Sequence, residues 1–224
     1  TVAFLRDDGA SRYFLYERAA KKATFLFTNR RDLEGLPLVK MHPVVIPSRD
    51  GLSLVSYLSL PRDADPAGTG RPSRPLPLVL DVHGGPWARD GWGYNPNHQW
   101  LANRGYAVLS VNFRGSTNYG QKHLHANRNT WGITDYDDIM KGVDYVIAQG
   151  LADPARMVAF GWSYGGYMTY WMSTQTDRFR LISPGAGLTN LYSMYSTTDI
   201  PAYLGWFFGT PWENEGIYQK LSPI

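Results

Sequence analysis

The segment Gly161-Trp162-Ser163-Tyr164-Gly165 carries residue types that can activate a hydroxyl group for attack on a carbonyl carbon. It matches the G-x-S-x-G pattern of a nucleophile elbow, in which a serine occupies a tight turn between a strand and a helix. Gly161 and Gly165 are required because a Cβ atom at either position would collide with neighbouring backbone. The helix N-terminus then favours a developing negative charge. We therefore predict that Ser163 is a catalytic nucleophile that forms an acyl-enzyme.

A second motif, His83-Gly84-Gly85-Pro86, directly follows the apolar run that ends at Val82. In hydrolases that use a nucleophile elbow, the loop at this place supplies one donor of the oxyanion hole. Consecutive glycines let a backbone N–H group approach the substrate carbonyl, so we predict Gly85 and Tyr164 as the pair of backbone donors. We interpret His83 as structural, because the triad of this fold runs serine, acid and histidine along the chain.

The context of the elbow carries more weight than its short pattern, which also arises by chance. The elbow follows "RMVAFG", a run typical of a buried parallel strand, and it opens a helix predicted from about Tyr164 to Thr174. The runs "LPLVLDV", "YAVLSVNF" and "RFRLISPG" also suit buried strands, and residues 135–149 show helical spacing. This alternation predicts an α/β-hydrolase fold with a doubly wound, mostly parallel sheet.

The N-terminal part of the chain has a different pattern. Residues 1–30 contain three short β-branched or aromatic runs separated by polar turns, which predicts an antiparallel meander too small to be stable alone. Residues 43–60 predict a strand pair joined at Asp50-Gly51. Residues 61–77 are rich in Pro and Gly and predict an exposed loop.

Three further segments have two interpretations each. Residues 112–116, "NFRGS", end the second buried strand and either line a substrate cleft or pack as a loop, with no catalytic role for Arg114. The aromatic residues 203–212 either line a substrate pocket or pack in the core. His123 and His125 have the spacing of two metal ligands, but no further ligands accompany them, so we predict no metal site and no cofactor.

Composition excludes several function classes. The chain has no cysteine, which excludes disulfides, thiolate catalysis and zinc–thiolate sites. Its net charge is +3 and its basic residues are scattered along the chain, so we expect no nucleic-acid-binding surface and no membrane-binding surface. No run approaches the roughly 20 apolar residues of a membrane helix, so we expect a soluble protein. The sequence leaves its compartment open between cytoplasm and periplasm. The first residue, Thr1, is not an initiator Met, and we expect the sequence to begin inside a longer protein.

Several motifs in the same order resemble the catalytic domain of the prolyl oligopeptidase family of serine peptidases. They are "DVHGGPW", "NFRGSTNYG", "DYDDIMKGVDYVIAQGLADPARMVAFGWSYGGYMT" and the closing "LSPI". The resemblance is strongest to the acylaminoacyl-peptidase and dipeptidyl-peptidase-like branches. It implies that residues 1–35 are the end of an N-terminal β-propeller domain. Residues 36–224 would then be an α/β-hydrolase catalytic domain that is incomplete at its C-terminus.

The resemblance also assigns roles to individual residues. Ser163 matches the nucleophile, and Gly85 and Tyr164 match the two oxyanion-binding amides. Dipeptidyl-peptidase members carry a tyrosine at the position of His83, a difference that favours the acylaminoacyl-peptidase-like branch.

The catalytic acid and histidine of the family lie after the "SPI" segment, so the resemblance implies an Asp and a His beyond Ile224. Between Ser163 and Ile224 the chain has no histidine, and the only Asp residues there are Asp177 and Asp199. We therefore expect the rest of the triad and the last strands of the sheet to be missing from these residues. We also expect the fragment alone to be inactive and to expose an apolar edge that promotes aggregation.

The resulting hypothesis is a serine-type peptidase that hydrolyses oligopeptides through an acyl-enzyme on Ser163. A carboxylesterase on the same fold is the alternative enzyme, because fold and elbow do not separate the two activities. A catalytically dead hydrolase fold used for binding is the alternative outside enzymology. The expected partner is a peptide substrate, and a homo-oligomer of the full-length protein stays open.

Overall fold

The computed structural model describes all residues from 1 to 224, and they form two separate β-sheets and seven α-helices. The first sheet is an antiparallel meander that confirms the strand pattern expected for residues 1–30. Its strands are β1 (Val2–Phe4), β2 (Arg12–Glu17) and β3 (Lys22–Thr28). Phe4, Phe14 and Phe25 make edge-to-face contacts across it, yet Phe4 and Phe25 are each more than half exposed. Taken by itself, the meander therefore leaves much of its apolar surface uncovered.

The second sheet has six strands in the order β4-β5-β7-β6-β8-β9. The strands are β4 (Met41–Pro47), β5 (Ser53–Ser59), β6 (Leu76–Val82), β7 (Ala107–Val111), β8 (Ala152–Trp162) and β9 (Leu181–Gly185). The first two neighbouring pairs are antiparallel, and the other three, from β7 to β9, are parallel. The predicted mostly parallel sheet is confirmed, and β9 forms its edge with Leu181 half exposed.

Helices cover both faces of this sheet, which confirms the doubly wound arrangement. The helices are α1 (Pro96–Asn103), α2 (Gln121–Leu124), α3 (Thr134–Ala148), α4 (Tyr164–Gln175), α5 (Leu191–Thr197), α6 (Pro201–Phe208) and α7 (Glu215–Lys220). On one face, Leu101 of α1 packs with Val79 and Val108. Helices α3 and α4 bury their apolar residues on the other face, in the main core. None of the helices is both long and apolar enough to span a bilayer.

A buried ion pair ties the end of β7 to helix α3 and to the β4–β5 turn. The Arg114 guanidinium donates to the Asp138 carboxylate at 2.7 and 2.8 Å and also contacts Asp50 and Ser48. Asp138 is fully buried and Arg114 nearly so. Removing one partner would leave a buried charge without compensation, which is strongly destabilising.

We predict that Arg114→Ala lowers the stability of the domain by about 3–5 kcal/mol, because Asp138 then loses its cation. Thermal unfolding of the complete gene product that contains these residues should show a midpoint on the order of 10 °C lower. The matched control is Arg178→Ala, which breaks the exposed pair with Asp144 and should cost less than about 1 kcal/mol. Equal midpoints for the two variants would contradict the prediction.

His98 on α1 is a second buried polar group that connects three elements. Its ring nitrogens lie 3.0 Å from the Ser59 hydroxyl on β5 and 2.9 Å from the Ser110 hydroxyl on β7. A neutral imidazole donates to one hydroxyl and accepts from the other, whereas both nitrogens of an imidazolium are donors. Burial lowers the pKa of His98 from 6.5 to about 4, so the ring is neutral near pH 7.

The His98 pKa predicts how the stability difference between wild type and His98→Gln depends on pH. Unfolded His98 binds a proton below about pH 6.5 and the folded form only near pH 4, so its contribution is present above 6.5 and is lost as the pH falls. The stability gap should shrink by at most about 3 kcal/mol between pH 7 and pH 4. Denaturant titrations of both proteins measure this gap, and a gap that does not change with pH would refute the prediction.

Candidate active site

The structure places Ser163 on a sharp turn between β8 and α4. Its backbone has φ 58° and ψ −116°, a conformation that residues with a side chain rarely adopt. Holding a serine there costs on the order of 1–3 kcal/mol, and such strain is concentrated at functional sites. The side chain is exposed at the carboxyl end of the parallel strands, and helix α4 begins at the next residue. This is the strand–turn–helix context expected for a nucleophile elbow.

The glycines on either side of Ser163 are fixed by close backbone contacts. A Cβ atom on Gly161 would lie 2.5 Å from the Gly165 carbonyl group. A Cβ atom on Gly165 would lie only 2.0 Å from the Val82 carbonyl oxygen at the end of β6. Both distances are far below a normal contact, so the two positions accept only glycine without a shift of the backbone.

The Gly84-Gly85 loop lies directly beside the candidate nucleophile. Strands β6 and β8 are parallel neighbours with Val82 opposite Gly161, so the loop and the elbow emerge at the same edge of the sheet. A Cβ atom on Gly84 would lie 3.5 Å from the Ser163 Cβ atom and 4.0 Å from its Oγ atom. Gly85 has φ +127°, which a larger residue would not adopt. The structure thus brings together Ser163 and the loop that carries the proposed Gly85 donor.

His83 holds this loop through both of its ring nitrogens. Its Nδ1 atom lies 2.7 Å from the Gly84 carbonyl oxygen, which only accepts hydrogen bonds, so Nδ1 carries the proton. Its Nε2 atom therefore accepts from the Ser116 hydroxyl at 2.9 Å. Burial lowers the pKa of His83 to about 4, which keeps the ring neutral. The Gly84 carbonyl and the Gly85 N–H belong to one peptide group, so this bond helps to orient the proposed donor.

The segment from Asn112 to Ser116 is a packed loop and not an open cleft wall. Asn112, Arg114 and Ser116 are all buried. The Asn112 side chain accepts from the Asp90 N–H group at 2.8 Å and donates to the Asp90 carbonyl at 3.1 Å, which fixes the far end of the glycine loop. Each polar side chain of the segment therefore supports a neighbouring element, in agreement with the packing interpretation.

The aromatic segment 203–212 packs mainly in the core. Leu204, Phe207 and Phe208 are buried, while Trp212 is largely exposed. Tyr203 is the exception that contacts the site, because its hydroxyl donates to the Gly85 carbonyl oxygen at 3.0 Å. Helix α6 therefore holds the glycine loop at the Gly85 carbonyl group, whereas His83 holds it at the Gly84 carbonyl group.

The buried partner of Tyr164 was not predicted from the sequence. The Tyr164 hydroxyl donates a short hydrogen bond to the Asp135 carboxylate, and both residues are almost completely buried. Burial raises the pKa of Asp135 to about 7. Asp135 lies in the first turn of α3, where an acidic residue is commonly found because it interacts favourably with the helix dipole. Its position in the sequence therefore gives no sign of the bond to Tyr164.

No histidine within residues 1–224 is bonded to Ser163, although the chain has five. His123 is buried against the Phe113 carbonyl, and His125 packs on Trp206. The H-x-H pair thus has two separate environments and does not converge on one point. A general base for Ser163 is not provided by these side chains in the structure.

No carboxylate of the segment that follows the elbow, from Tyr164 to Ile224, is hydrogen-bonded to Ser163 either. Glu213 accepts from the Thr210 hydroxyl, and Glu215 accepts from the Gln219 side-chain amide. Asp177 and Asp199 are both exposed, and neither is hydrogen-bonded to Ser163. Ile224 is 83% exposed, and its N–H group donates to the Thr189 carbonyl oxygen at 3.2 Å. The expectation of an Asp and a His beyond Ile224 concerns residues outside the chain and stays a prediction.

We predict that Gly165→Ala lowers stability by about 4 kcal/mol or more, because its Cβ overlaps the Val82 carbonyl oxygen. The matched control is Gly216→Ala in α7, where nothing lies within 4 Å of the added Cβ and no loss of stability is expected. Thermal unfolding and soluble yield of the two variants of the complete gene product measure the difference. A Gly165→Ala protein as stable as the Gly216→Ala protein would show that the contact is not tight.

Comparison with known proteins identifies the family. The sequence profile described as "Prolyl oligopeptidase family" matches residues 92–224. Dipeptidyl aminopeptidase BIII of Pseudoxanthomonas mexicana is 46% identical over 208 residues, which cover 92% of this chain and 30% of that protein. The solved structure of a puromycin-hydrolyzing peptidase of Mycobacterium tuberculosis is 26% identical and superposes with a TM-score of 0.85 over 99% of this chain and 34% of that one.

An acylaminoacyl peptidase of Pyrococcus horikoshii is a further structural relative, at 26% identity and a TM-score of 0.84, over 99% of this chain and 35% of that one. Both branches expected from the sequence are thus represented, and the preference for the acylaminoacyl branch drawn from His83 stays a prediction. The chain spans about 30% of the length of the curated relative quoted above. The chain belongs to the prolyl oligopeptidase family.

Proposed function

We propose that the protein containing these residues is a serine peptidase that cleaves peptide bonds through an acyl-enzyme on Ser163. The observation that carries this proposal is the position of Ser163, held in a strained turn beside the Gly84-Gly85 loop and at the start of α4. This position lets one carbonyl group meet the hydroxyl and two backbone donors at the same time. Family membership supports the same reaction class.

The chemical steps follow from this arrangement. The Ser163 Oγ atom attacks the peptide carbonyl, and the oxyanion that forms accepts from the N–H groups of Gly85 and Tyr164. The C–N bond then breaks, and the amine leaves with the proton that the hydroxyl gave up. Water attacks the acyl ester, the C–Oγ bond breaks, and the acid is released while Ser163 regains its proton.

The proton transfers require a general base, which none of the five histidines supplies from its present position. We propose that the acid and the base of the triad are an Asp and a His that follow Ile224 in the complete protein. The relatives quoted above are about three times as long as this chain, which supports this assignment. Without a base, the Ser163 hydroxyl stays protonated and is a weak nucleophile.

We further propose the two-domain division, with residues 1–35 as the end of a β-propeller and residues 36–224 as the catalytic domain. The separate antiparallel sheet β1–β2–β3, with phenylalanine rings exposed, supports this division. The substrate is proposed to be a peptide, since the relatives are named as dipeptidyl and acylaminoacyl peptidases.

We predict that Ser163→Ala in the complete gene product lowers kcat on peptidyl anilides by on the order of 10³-fold or more, because the acyl-enzyme is no longer formed. Ser173→Ala is the matched control, since Ser173 is an exposed serine on the same helix and should leave kcat unchanged. Anilides with a free N-terminal dipeptide and with an acylated amino acid are assayed in parallel, together with an activated ester.

Turnover of the anilides supports a peptidase, and turnover of the ester alone favours the carboxylesterase. A wild-type protein that hydrolyses none of the substrates and does not react with a fluorophosphonate at Ser163 would overturn the proposal. That result would favour the alternative of a catalytically dead hydrolase fold used for binding.

A further inference from the structure

The residue that offers the second oxyanion donor is anchored through its own side chain. Tyr164 is the first residue of α4, and its N–H group is among those that have no partner inside the helix. Its side chain runs into the core and is 1% exposed. The hydroxyl at the end of the ring donates to Asp135 near the start of α3, 29 residues earlier in the chain. The direction of the Tyr164 N–H group therefore depends on a contact deep inside the domain.

Asp135 is arranged as an acceptor of hydrogen bonds and has no cation as partner. Its carboxylate accepts from the Tyr164 hydroxyl, from the Asn127 side-chain amide at 3.2 Å and from the Tyr136 N–H group at 2.9 Å. The neighbouring carboxylate of Asp138 is already paired with Arg114. Three donors converge on a fully buried group, so the Tyr164 hydroxyl meets an acceptor whose own position is fixed.

Aromatic contacts hold the Tyr164 ring in place. Trp131 packs edge-on at a centroid distance of 4.7 Å, and Phe113 stacks at 5.7 Å. With its ring packed and its hydroxyl tethered, Tyr164 cannot rotate about its side-chain bonds or shift its Cα atom without breaking a buried contact. Its backbone N–H group is consequently pre-oriented before a substrate arrives.

The same cluster reaches the other proposed donor. Phe113 also stacks on the His83 ring at a centroid distance of 4.4 Å, and His83 holds the Gly84–Gly85 peptide. Asn127, the second side-chain donor to Asp135, lies against Gly115, because a Cβ atom there would be 2.5 Å from the Asn127 amide nitrogen. The residue after Gly115 is the serine whose hydroxyl bonds to His83. Both oxyanion donors thus rest on one buried cluster.

We propose that Asp135 is a positioning residue of the oxyanion hole, acting through the Tyr164 hydroxyl, an inference that rests on the proposed function. The expected effect is on the transition state and not on substrate binding, because the N–H group bonds most strongly to the oxyanion. Removal of a whole oxyanion donor costs about 10²–10³-fold in kcat, so loss of its anchor should cost less, on the order of 10-fold.

The experiment compares Tyr164→Phe with Tyr167→Phe in the complete gene product. Tyr164→Phe removes one oxygen and keeps the ring and the N–H group. Tyr167→Phe removes a buried hydroxyl from the same helix, which donates to the Leu221 carbonyl at 2.9 Å and not to Asp135. It keeps the Tyr167 ring, which packs on the Tyr164 ring at a centroid distance of 5.4 Å. The readouts are kcat and KM on a peptidyl anilide, the rate of labelling by a fluorophosphonate, and the midpoint of thermal unfolding.

We expect kcat and the labelling rate of Tyr164→Phe to fall about 10-fold with KM nearly unchanged. Tyr167→Phe should lose similar thermal stability but keep the kcat of the wild type. If Tyr164→Phe does not fold, Asp135→Asn is measured instead, because its amide oxygen still accepts from the Tyr164 hydroxyl, though more weakly. It should show a smaller loss of kcat, again at constant KM.

Two results would overturn the inference. The first is an active wild type and a folded Tyr164→Phe variant with the same kcat. This result would show that the bond to Asp135 has no role in positioning the Tyr164 N–H group. Equal losses of kcat in Tyr164→Phe and Tyr167→Phe would show a general effect of stability. Failure of the proposed function is distinguished from both, because the wild type itself would then neither turn over nor be labelled, and the inference would fall with it.

Discussion

The close approach of helix α4 to strand β6 is the constraint on which the rest of the site depends. Gly165 lies so near the Val82 carbonyl oxygen that no side chain fits between them. This contact brings the start of α4 to the end of β6, and Ser163, just before the helix, has a strained backbone conformation. Because the Gly84-Gly85 loop leaves β6 directly after Val82, which lies opposite Gly161, the loop and the Ser163 hydroxyl are neighbours at the same edge of the sheet. The positions of the proposed nucleophile and of the proposed oxyanion loop are therefore linked by one close contact between backbones.

The turn at Ser163 and the loops beside it are held in place by polar side chains as well as by apolar packing. His83, Asn112 and Arg114 each use buried or partly buried hydrogen bonds to hold one loop at the carboxyl edge of the sheet. Asp135 does the same for Tyr164. Buried polar groups of this type are expensive when a partner is lost, so the network makes the edge rigid and also makes it sensitive to substitution. Rigidity is what a hole built from backbone N–H groups needs, since those groups stabilise charge without reorganising.

Much of this architecture follows from local sequence patterns. Continuous apolar runs identify β6, β7 and β8, and the glycines around Ser163 identify the elbow, because each pattern has a local steric cause. The sequence leaves the role of the "NFRGS" segment open, since whether it lines a cleft or packs as a loop depends on contacts such as that of Arg114 with Asp138, 24 residues away. Asp135 was missed for the same reason. Its partner is set by the crossing of α3 and α4, and the spacing of residues within one helix carries no information about that crossing.

The distribution of chemistry along the chain has a consequence for reactivity. From Thr1 to Ile224 the chain holds the proposed nucleophile and both proposed backbone donors, which lie at the carboxyl edge of the sheet and at the start of α4. An oxyanion hole and a bound substrate alone give only a residual acceleration, because the proton of the hydroxyl has no acceptor. The His83 ring does not take this place, since its Nδ1 proton is bound to the Gly84 carbonyl and its Nε2 lone pair to Ser116. A histidine whose two ring nitrogens are both engaged is not free to accept a proton, so the proposed mechanism requires a residue other than His83 as the base.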